Sequence, residues 1–336
     1  MFLFASVVGL MAASGAVLLT NIDSEQGEDT DEDAIASDKD TAPEEDPSNA
    51  GPEGTAEAEE PPDLLNQILL GDAGDNLTEG AAGDDQINGY GGDDRLTGGE
   101  GNDDLHGAEG RDLLLGGAGS DTLHGQDGDD TLQGGDGDDS LFGHFGQDLQ
   151  QGGDGADTIY GGQDADSLEG GPGNDALHGG YDDDTLTGGE GQDSLFGGQG
   201  DDLVIGTDDT DEESTDYLNG GDGADTILAG SDDIVTSGAG ADEIYVDSDI
   251  EQGDETGIMD FDPLEDRLVL VVENPEETDA EITIEADPDQ DGLSHVLLDG
   301  VPVAMLLSKA AVDPGDILLV DTQNLRDILA GAAPSV

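Results

Sequence analysis

The sequence of 336 residues contains no cysteine and no tryptophan, and only 6 lysines and arginines accompany 85 aspartates and glutamates. Without cysteine the chain has neither disulfides nor thiolate chemistry. The cysteine count therefore neither indicates nor excludes an oxidising compartment. The formal charge of −79 makes a compact chain repel itself, and cations are therefore its expected partners. Nucleic acids and anionic membrane surfaces are excluded, because proteins that bind phosphate-rich partners need lysine and arginine.

Aromatic residues are also scarce at 3%, whereas glycine occurs 56 times. This composition offers little material for an ordinary hydrophobic core, although the chain is long enough for two or three domains. We therefore expect a regular architecture that depends on a ligand. Because most candidate ligand atoms are oxygens, the sequence favours hard cations such as Ca²⁺ over softer metals.

The N-terminal part of the chain divides into three segments. Residues 1–20 are mostly apolar and uncharged, and residues 2–20 as a helix would span roughly 28 Å, close to a bilayer core of ~30 Å. They are predicted to be a single membrane anchor or a cleaved signal peptide, with an ordinary buried helix as the third alternative. Residues 21–63 are predicted to be a disordered acidic linker. Residues 64–79 are predicted to form an N-terminal cap and an imperfect first repeat.

Fourteen consecutive nonapeptides occupy residues 80–205. A representative copy is Gly116-Gly-Ala-Gly-Ser-Asp121-Thr-Leu123-His124. Position 1 is always glycine, position 6 is always aspartate, and position 8 is leucine, isoleucine or valine except at Gln150. Position 4 is glycine except at Asp164 and Asp182. Low sequence complexity alone does not produce this regularity, so the repeat predicts a folded array.

The chemistry of the nonapeptide predicts a coil. Glycines at positions 1 and 4 permit left-handed or crowded backbone, so positions 1–6 can form a tight turn that points carbonyl oxygens inward. Positions 7–9 then form a short strand in which only position 8 faces the core. Two nonapeptides complete one coil, and each residue lies beside the residue 18 positions later. The predicted fold class is all-β: a parallel β-roll (β-helix) over residues 80–246, with an insertion at 206–219.

Position 6 contributes two columns of carboxylates. At the strand spacing, neighbouring unneutralised carboxylates would repel each other by roughly 1–3.5 kcal/mol, whereas Ca²⁺ between successive turns can take an oxygen from each flanking aspartate and add turn carbonyls. Mg²⁺ is less suitable because it prefers a tight octahedron. The predicted metal ligands are Asp85, Asp94, Asp103, Asp112, Asp121, Asp130, Asp139, Asp148, Asp157, Asp166, Asp175, Asp184, Asp193, Asp202 and Asp225.

This pattern resembles the RTX, or haemolysin-type, calcium-binding repeat family over roughly residues 71–246. The resemblance implies a β-roll that binds multiple Ca²⁺ ions in its turns. Further along, Asp260-Phe-Asp-Pro263 and Asp266-Arg-Leu268 are similar to the segment that follows the repeats in RTX proteins such as the serralysins, in which the C-terminal region carries the address for type I secretion. Protease activity is not implied, because the chain has no His-Glu-x-x-His motif.

Residues 247–336 lack the nine-residue period and predict a small β-rich C-terminal cap. Asp299-Gly300 suits a type I′ hairpin turn, and Pro302 predicts an edge strand. Asp287 to Gly292 matches the start of an EF-hand loop, but Leu298 occupies the position that requires glutamate. An additional calcium site in this loop is therefore an alternative to a plain turn.

Position 9 of alternate repeats forms an outward column spaced for cross-strand stacking. This column is interpreted as stacking that stabilises the sheet, or as a surface that the insertion covers. Alternatively, it is a surface for partner docking or self-association. Its histidines could bind a transition metal if they are adjacent. A separate feature, Gln150 at the core position beside Leu149, predicts a slipped or weak coil. The outward column consists of His106, His124, Phe142, Tyr160, His178 and Phe196.

Together these patterns predict a non-enzymatic, calcium-dependent structural protein that is extracellular or at the cell surface. Two other classes stay open. An adhesin or partner-binding module would use the outward column, and an enzyme would need an unrecognised site in the C-terminal region.

Overall fold

The structure is a computed structural model, and its described part is built almost entirely of short β-strands. The described residues are 66–207, 214–247, 255–272 and 280–321, together with Leu325. The predicted membrane segment 1–20 and the predicted linker 21–63 lie outside these residues. Across the described segments, no helix combines the length and apolar character needed to cross a membrane.

Strands alternate along the chain between two sheets, one of 14 strands and one of 12. The strands of the larger sheet, in spatial order, are β1 (Ile68–Leu70), β3 (Gln86–Gly91), β5 (Asp104–Glu109), β7 (Thr122–Asp127), β9 (Ser140–Phe145), β11 (Thr158–Gln163), β13 (Ala176–Tyr181), β15 (Ser194–Gln199), β17 (Tyr217–Asp222), β19 (Ile234–Ala239), β21 (Thr256–Ile258), β25 (Val301–Leu307), β24 (Leu293–Leu298) and β23 (Ile282–Ala286). Those of the smaller sheet are β2 (Leu77–Ala82), β4 (Arg95–Glu100), β6 (Leu113–Ala118), β8 (Thr131–Asp136), β10 (Leu149–Asp154), β12 (Ser167–Pro172), β14 (Thr185–Glu190), β16 (Leu203–Ile205), β18 (Thr226–Ala229), β20 (Glu243–Asp247), β22 (Arg267–Val272) and β26 (Leu318–Asp321). A 3₁₀ turn at Pro314–Asp316 precedes β26.

Parallel pairing in each sheet joins residues 18 apart throughout the regular repeats. Leu123, for example, lies between Leu105 and Leu141. The predicted coil of two nonapeptides is therefore confirmed, and with it the parallel β-roll.

The strands are longer than the sequence predicted. They run from position 7 through position 3 of the next nonapeptide, so the expectation that positions 1–3 belong to the turn is wrong. Pairing continues past position 1 because position 2 adopts a positive φ, as at Gly117 (φ 122), which turns the backbone while keeping it in the ladder with Gly99 and Gly135. Glycine adopts such a conformation at no steric cost.

The side chains at position 8 form one buried row in each sheet. The alternation of side chains across a strand predicted this arrangement. Gln150 occupies this row, is fully buried, and pairs with Leu132 and Leu168. Leu149 points outward and is 53% exposed. The prediction of a slipped coil is therefore wrong, because the ladder on both sides holds the register and buries the amide.

The acidic insertion is shorter than the predicted 206–219. Tyr217 pairs with Ser194, so Asp216 occupies position 6 and Tyr217–Asp222 form the strand of a regular coil. The spacing from Asp193 to Asp216 is 23 residues instead of 18, and the five additional residues are accommodated between Gly206 and Asp216. The next coil is one residue short, with a spacing of 17 from Asp216 to Asp233.

The C-terminal region continues both sheets and is β-rich, as predicted. β22 and β26 extend the smaller sheet, while β25 adds to β21 and carries the antiparallel strands β24 and β23. Asp299 and Gly300 both have positive φ (53 and 82), which fits the predicted type I′ turn. The prediction that Pro302 marks an edge strand is wrong, because β25 lies between β21 and β24. Pro302 is tolerated since it precedes the part of β25 that pairs with β21.

Candidate metal centre

The position 6 aspartates are buried in two columns, and each one helps to hold its turn. One carboxylate oxygen, Oδ1, accepts a hydrogen bond from the backbone N–H of the aspartate one coil earlier. Oδ1 of Asp139 accepts from Asp121 at 2.8 Å, and Oδ1 of Asp157 accepts from Asp139 at 2.7 Å. The aspartates therefore satisfy a backbone donor that the strand ladder does not reach.

The second oxygen of these carboxylates, Oδ2, is buried and in most coils has no hydrogen-bond partner. Burying a charged oxygen without a partner costs considerable free energy, so this atom is the strongest indication of a ligand in the molecule. These oxygens belong to Asp85, Asp94, Asp103, Asp112, Asp121, Asp130, Asp139, Asp148, Asp157, Asp166, Asp175, Asp184, Asp202, Asp225 and Asp242.

Glycine at position 1 makes space for this oxygen. A Cβ on Gly134 would lie 2.2 Å from Oδ2 of Asp139 and 2.6 Å from the carbonyl oxygen of Gly152. The φ of Gly134 is outside the left-handed region, so close approach, and not an unusual backbone conformation, requires glycine here. At position 4, by contrast, the glycines adopt positive φ, and the two exceptions Asp164 (φ 72) and Asp182 (φ 73) adopt it too.

Burial changes the acidity of the columns. It raises the pKa of Asp139 and Asp148 to about 7 and that of Asp166 to about 8, and neighbouring carboxylates add to the effect, although backbone hydrogen bonds oppose it. A cation beside each carboxylate would reverse this shift, because an opposite charge favours the ionised form.

The columns extend beyond the predicted ligands. Asp216 and Asp233 continue the column that ends at Asp193, and Asp242 continues the column of Asp225. Sequence reasoning missed them because the coil spacing changes to 23 and then 17 residues. Each is nevertheless followed two residues later by a buried apolar side chain, namely Leu218, Val235 or Ile244, and this signal could have identified them.

A second set of side chains, at position 5, was not predicted either. Here an exposed Asp or Asn accepts a hydrogen bond from the backbone N–H of position 5 in the following coil, as from Asn102 to Asp84 (3.0 Å) and from Ser120 to Asn102 (2.9 Å). The frequency of Asp and Asn at this position is the corresponding sequence signal. Both position 5 and position 6 thus hold the turn with side-chain oxygens.

The donor set fits a hard divalent cation. The buried ligand atoms are carboxylate oxygens, and backbone carbonyl oxygens lie near them, as that of Gly152 lies near Oδ2 of Asp139. Oxygen donors of these two kinds are the ligands that Ca²⁺ prefers. The sequence places only Arg95 and Arg111 within the nonapeptides 80–205. Arg111 pairs with Asp129 on the exposed surface at 3.5 Å. A cation from solution is therefore needed to neutralise the columns.

The outward column stacks as predicted, with ring centroids 4.6–5.2 Å apart between successive members. His106 and His124 are adjacent, but His178 stacks between Tyr160 and Phe196. The expectation that all three histidines could meet is therefore wrong, because two coils separate His178 from His124.

The EF-hand-like segment is the loop between antiparallel strands β23 and β24. Oδ1 of Asp287 accepts hydrogen bonds from the backbone of Asp289 (2.7 Å) and Gln290 (2.8 Å). Oδ2 of Asp287 lies 3.4 Å from His295, whose other ring nitrogen lies 2.6 Å from Glu255. These carboxylates raise the pKa of His295. A calcium ion in this loop stays a prediction.

The fold and the site together define a class: a parallel β-roll whose turns bury columns of carboxylates. The family profile of the RTX calcium-binding nonapeptide repeat, in four copies, matches residues 66–94, 79–114, 115–149, 151–177, 178–213 and 212–244. These segments cover more than half of the sequence, and the chain belongs to this family of calcium-binding repeats. No curated protein matches the chain. The match does not extend beyond residue 244, so the secretion address and the likeness to serralysins in the C-terminal region stay predictions.

Proposed function

We propose that the chain is a calcium-dependent structural protein, secreted or held at the cell surface, whose repeats fold when calcium occupies the aspartate columns. The observation that carries this proposal is the partnerless Oδ2 atom of the aspartates named for it above, which recurs in most coils from Asp85 to Asp242. Calcium binding itself is a property of the repeat family. Calcium-dependent folding is the further step, and it rests on the electrostatics of the columns.

Those electrostatics oppose folding without a counterion. Carboxylates one coil apart repel each other by roughly 1–3.5 kcal/mol, and a Debye length of ~8 Å in physiological salt screens little at that range. The predicted ligand aspartates would hold the ions between successive turns. Fourteen nonapeptides provide twelve gaps between positions 18 residues apart, which sets an upper number of about twelve ions for this block.

The proposed location outside the cytoplasm rests on the expected affinity for calcium. Extracellular calcium modules bind with Kd values of about 10⁻⁴–10⁻³ M, so such a β-roll would stay open in the cytoplasm and fold outside it. The apolar segment 1–20 supports export, either as an anchor or as a signal. Protease treatment of intact cells tests this: the repeats should be cleaved in calcium-free medium, whereas complete protection with soluble full-length protein in the cytosol would contradict export.

Circular dichroism of the full chain during a calcium titration tests the function. We expect little β signal after calcium is removed and a cooperative gain as calcium is added, because each coil contacts only its neighbours and adjacent sites are coupled. Magnesium at the same concentration is the control and should be much less effective. A full β signal in excess chelator that calcium does not change would refute calcium-dependent folding.

A partner-binding or adhesive role is the second candidate. It is favoured by the outward column, in which Tyr160 and Phe196 are each 39% exposed. Aromatic side chains that present one face to solvent are common in binding surfaces. Replacing Tyr160 and Phe196 together by serine would abolish self-association or surface attachment in this case, and would leave the calcium titration unchanged.

A catalytic role is not part of the proposal. His295, the described histidine of the C-terminal region, lies between Glu255 and Asp287, and it links the β23–β24 hairpin to the residues before β21. This arrangement is that of an ion-paired contact between two segments.

A further inference from the structure

One end of the outward column differs in chemistry from the rest. Nε2 of His106 lies 2.9 Å from Oδ1 of Asp104, and the ring of His106 stacks on that of His124 at 4.6 Å. One ligand atom from each of Asp104, His106 and His124 lies within 4.8 Å of the others, and all three side chains are partly buried. Nδ1 of His124 in turn lies 3.1 Å from Nε2 of His144.

The β-roll itself creates this cluster. Asp104 and His106 occupy positions 7 and 9 of β5, so both point outward, away from the neighbouring column residue Asp103. His124 follows on β7, directly beside His106 in the ladder. His144 occupies position 2 of the next coil and has a left-handed φ of 82, a conformation that is uncommon for residues other than glycine.

We propose that Asp104, His106 and His124 form a binding site for a divalent transition metal, represented by Zn²⁺, that is separate from the aspartate columns, and that His144 orients the ring of His124. Two imidazole nitrogens and a carboxylate oxygen are a donor set typical of zinc sites, and a fourth position stays open to water. Imidazole nitrogen is a poor ligand for Ca²⁺, which prefers oxygen.

The spacing of the ligand atoms is close to what such an ion needs. Bonds of about 2.0–2.1 Å in a tetrahedron place ligand atoms roughly 3.3 Å apart. The Asp104–His106 pair is already near this distance, and His124 reaches it if its ring tilts towards His106, which the partly exposed surface permits.

His178 in the same column provides an internal comparison. It too stacks between two rings, but Ala176 stands where Asp104 precedes His106, and position 2 of the following coil is Gly198 instead of a histidine. Stacking alone therefore needs neither a carboxylate nor a second imidazole. Within this column, the nearby carboxylate of Asp104 and the second imidazole of His144 are found at the His106–His124 pair and not at His178.

The test uses the full chain without a polyhistidine tag, in calcium well above the expected Kd of about 10⁻³ M so that the aspartate columns are saturated. Titration with Zn²⁺ by calorimetry, and with Co²⁺ by visible absorption, should give one ion per chain and the strong absorption bands of tetrahedral cobalt. His106→Gln and His124→Gln should remove this ion, and His178→Gln should bind it unchanged. His144→Gln should weaken binding by about tenfold, as loss of an orienting hydrogen bond does.

Circular dichroism in calcium shows whether each variant keeps its β-roll. If His124→Gln does not fold, Asp104→Asn still decides the question, because its side chain is only partly buried and its loss should weaken the cobalt absorption bands of the unaltered chain. Equal zinc affinity in the unaltered chain and the His106→Gln/His124→Gln double variant would overturn the proposal. The proposal would also be overturned if His178→Gln weakened zinc binding as much as His106→Gln or His124→Gln does.

Discussion

The backbone N–H of Asp139 donates a 2.7 Å hydrogen bond to Oδ1 of Asp157, one coil further along the chain, while Oδ2 of Asp157 is buried without a hydrogen-bond partner. The two oxygens of one carboxylate thus have different tasks. Oδ1 fixes the turn of the preceding coil, and Oδ2 is left to a cation. An amide in the same place could perform the first task but could not supply the charge for the second.

Asp157→Asn separates these tasks. The amide oxygen can still accept the hydrogen bond from Asp139, but the negative charge next to the cation is lost. We expect calcium-induced folding to require about ten- to hundredfold more calcium in the coils around residue 157, corresponding to ~1.5–3 kcal/mol for a charged interaction. The measurement is the calcium midpoint followed by circular dichroism.

Asp136→Asn is the matched control, since Asp136 lies in a neighbouring coil and is exposed. It should leave the midpoint unchanged within about twofold, because a single surface charge contributes little. Equal midpoints for the two variants would show that net charge, and not the buried column, sets the calcium requirement.

Acid should partly replace calcium. Burial raises the pKa of Asp148 to about 7 and that of Asp166 to about 8, whereas an unfolded aspartate titrates near 3.9. The folded chain therefore binds protons more tightly than the unfolded chain, so this contribution to stability is complete below about pH 4 and is lost as the pH rises through 7–8.

We accordingly expect the calcium-free chain to gain β signal when the pH is lowered from 8 towards 4, as measured by circular dichroism after exhaustive dialysis. In calcium the same pH change should have the opposite effect on ion affinity, because protons compete for the ligand oxygens. A calcium-free chain that stays unfolded at every pH would contradict this explanation of the columns.

Gln150→Leu should stabilise the folded chain. The side chain of Gln150 donates from Nε2 to the carbonyl oxygen of Tyr160 at 2.9 Å, but its Oε1 is buried without a partner. Leucine would continue the row between Leu132 and Leu168, and the gain should be about 1–2 kcal/mol in calcium. Denaturation midpoints measure the effect. Gln151→Leu, on the exposed side of the same strand, is the control and should change them little; the same shift in both variants would mean that burial at position 150 is not the cause.

Gly134→Ala should weaken the β-roll through steric conflict. The added Cβ would meet Oδ2 of Asp139 at 2.2 Å and displace the oxygen that is proposed to bind calcium. We expect a loss of about 1–3 kcal/mol, as for other overpacked sites, together with a higher calcium midpoint. Gly74→Ala is the control, because its Cβ would meet no atom closer than 3.5 Å. Unchanged calcium binding in Gly134→Ala would show that Oδ2 of Asp139 does not contribute to an ion.

The regular coils could be predicted from sequence because their contacts recur at one fixed separation. Any aspartate at position 6 and any apolar residue at position 8 meet identical neighbours 18 residues away, so the pattern Asp121 to Leu123 specifies its own pairing with Asp139 to Leu141. The inward and outward faces follow from the same alternation.

Features that lack this fixed separation could not be predicted. β21 pairs with β25 through Thr256 and Ala304, and no period relates these residues. The metal cluster on the outward column was missed in part for a similar reason, because His144 reaches His124 from position 2. Only the left-handed φ of His144 brings it there, and sequence alone favours glycine for such a conformation.

The uniform ladder through Leu105, Leu123 and Leu141 also makes the molecule adjustable in length. Removing one unit of 18 residues would bring the flanking coils together with the same partners on both sides, and would shorten the stack by one strand spacing of ~4.7–4.9 Å. Gain or loss of whole 18-residue units in the gene would therefore change the distance between the first coil and the C-terminal strands in equal steps. Each remaining contact would be preserved.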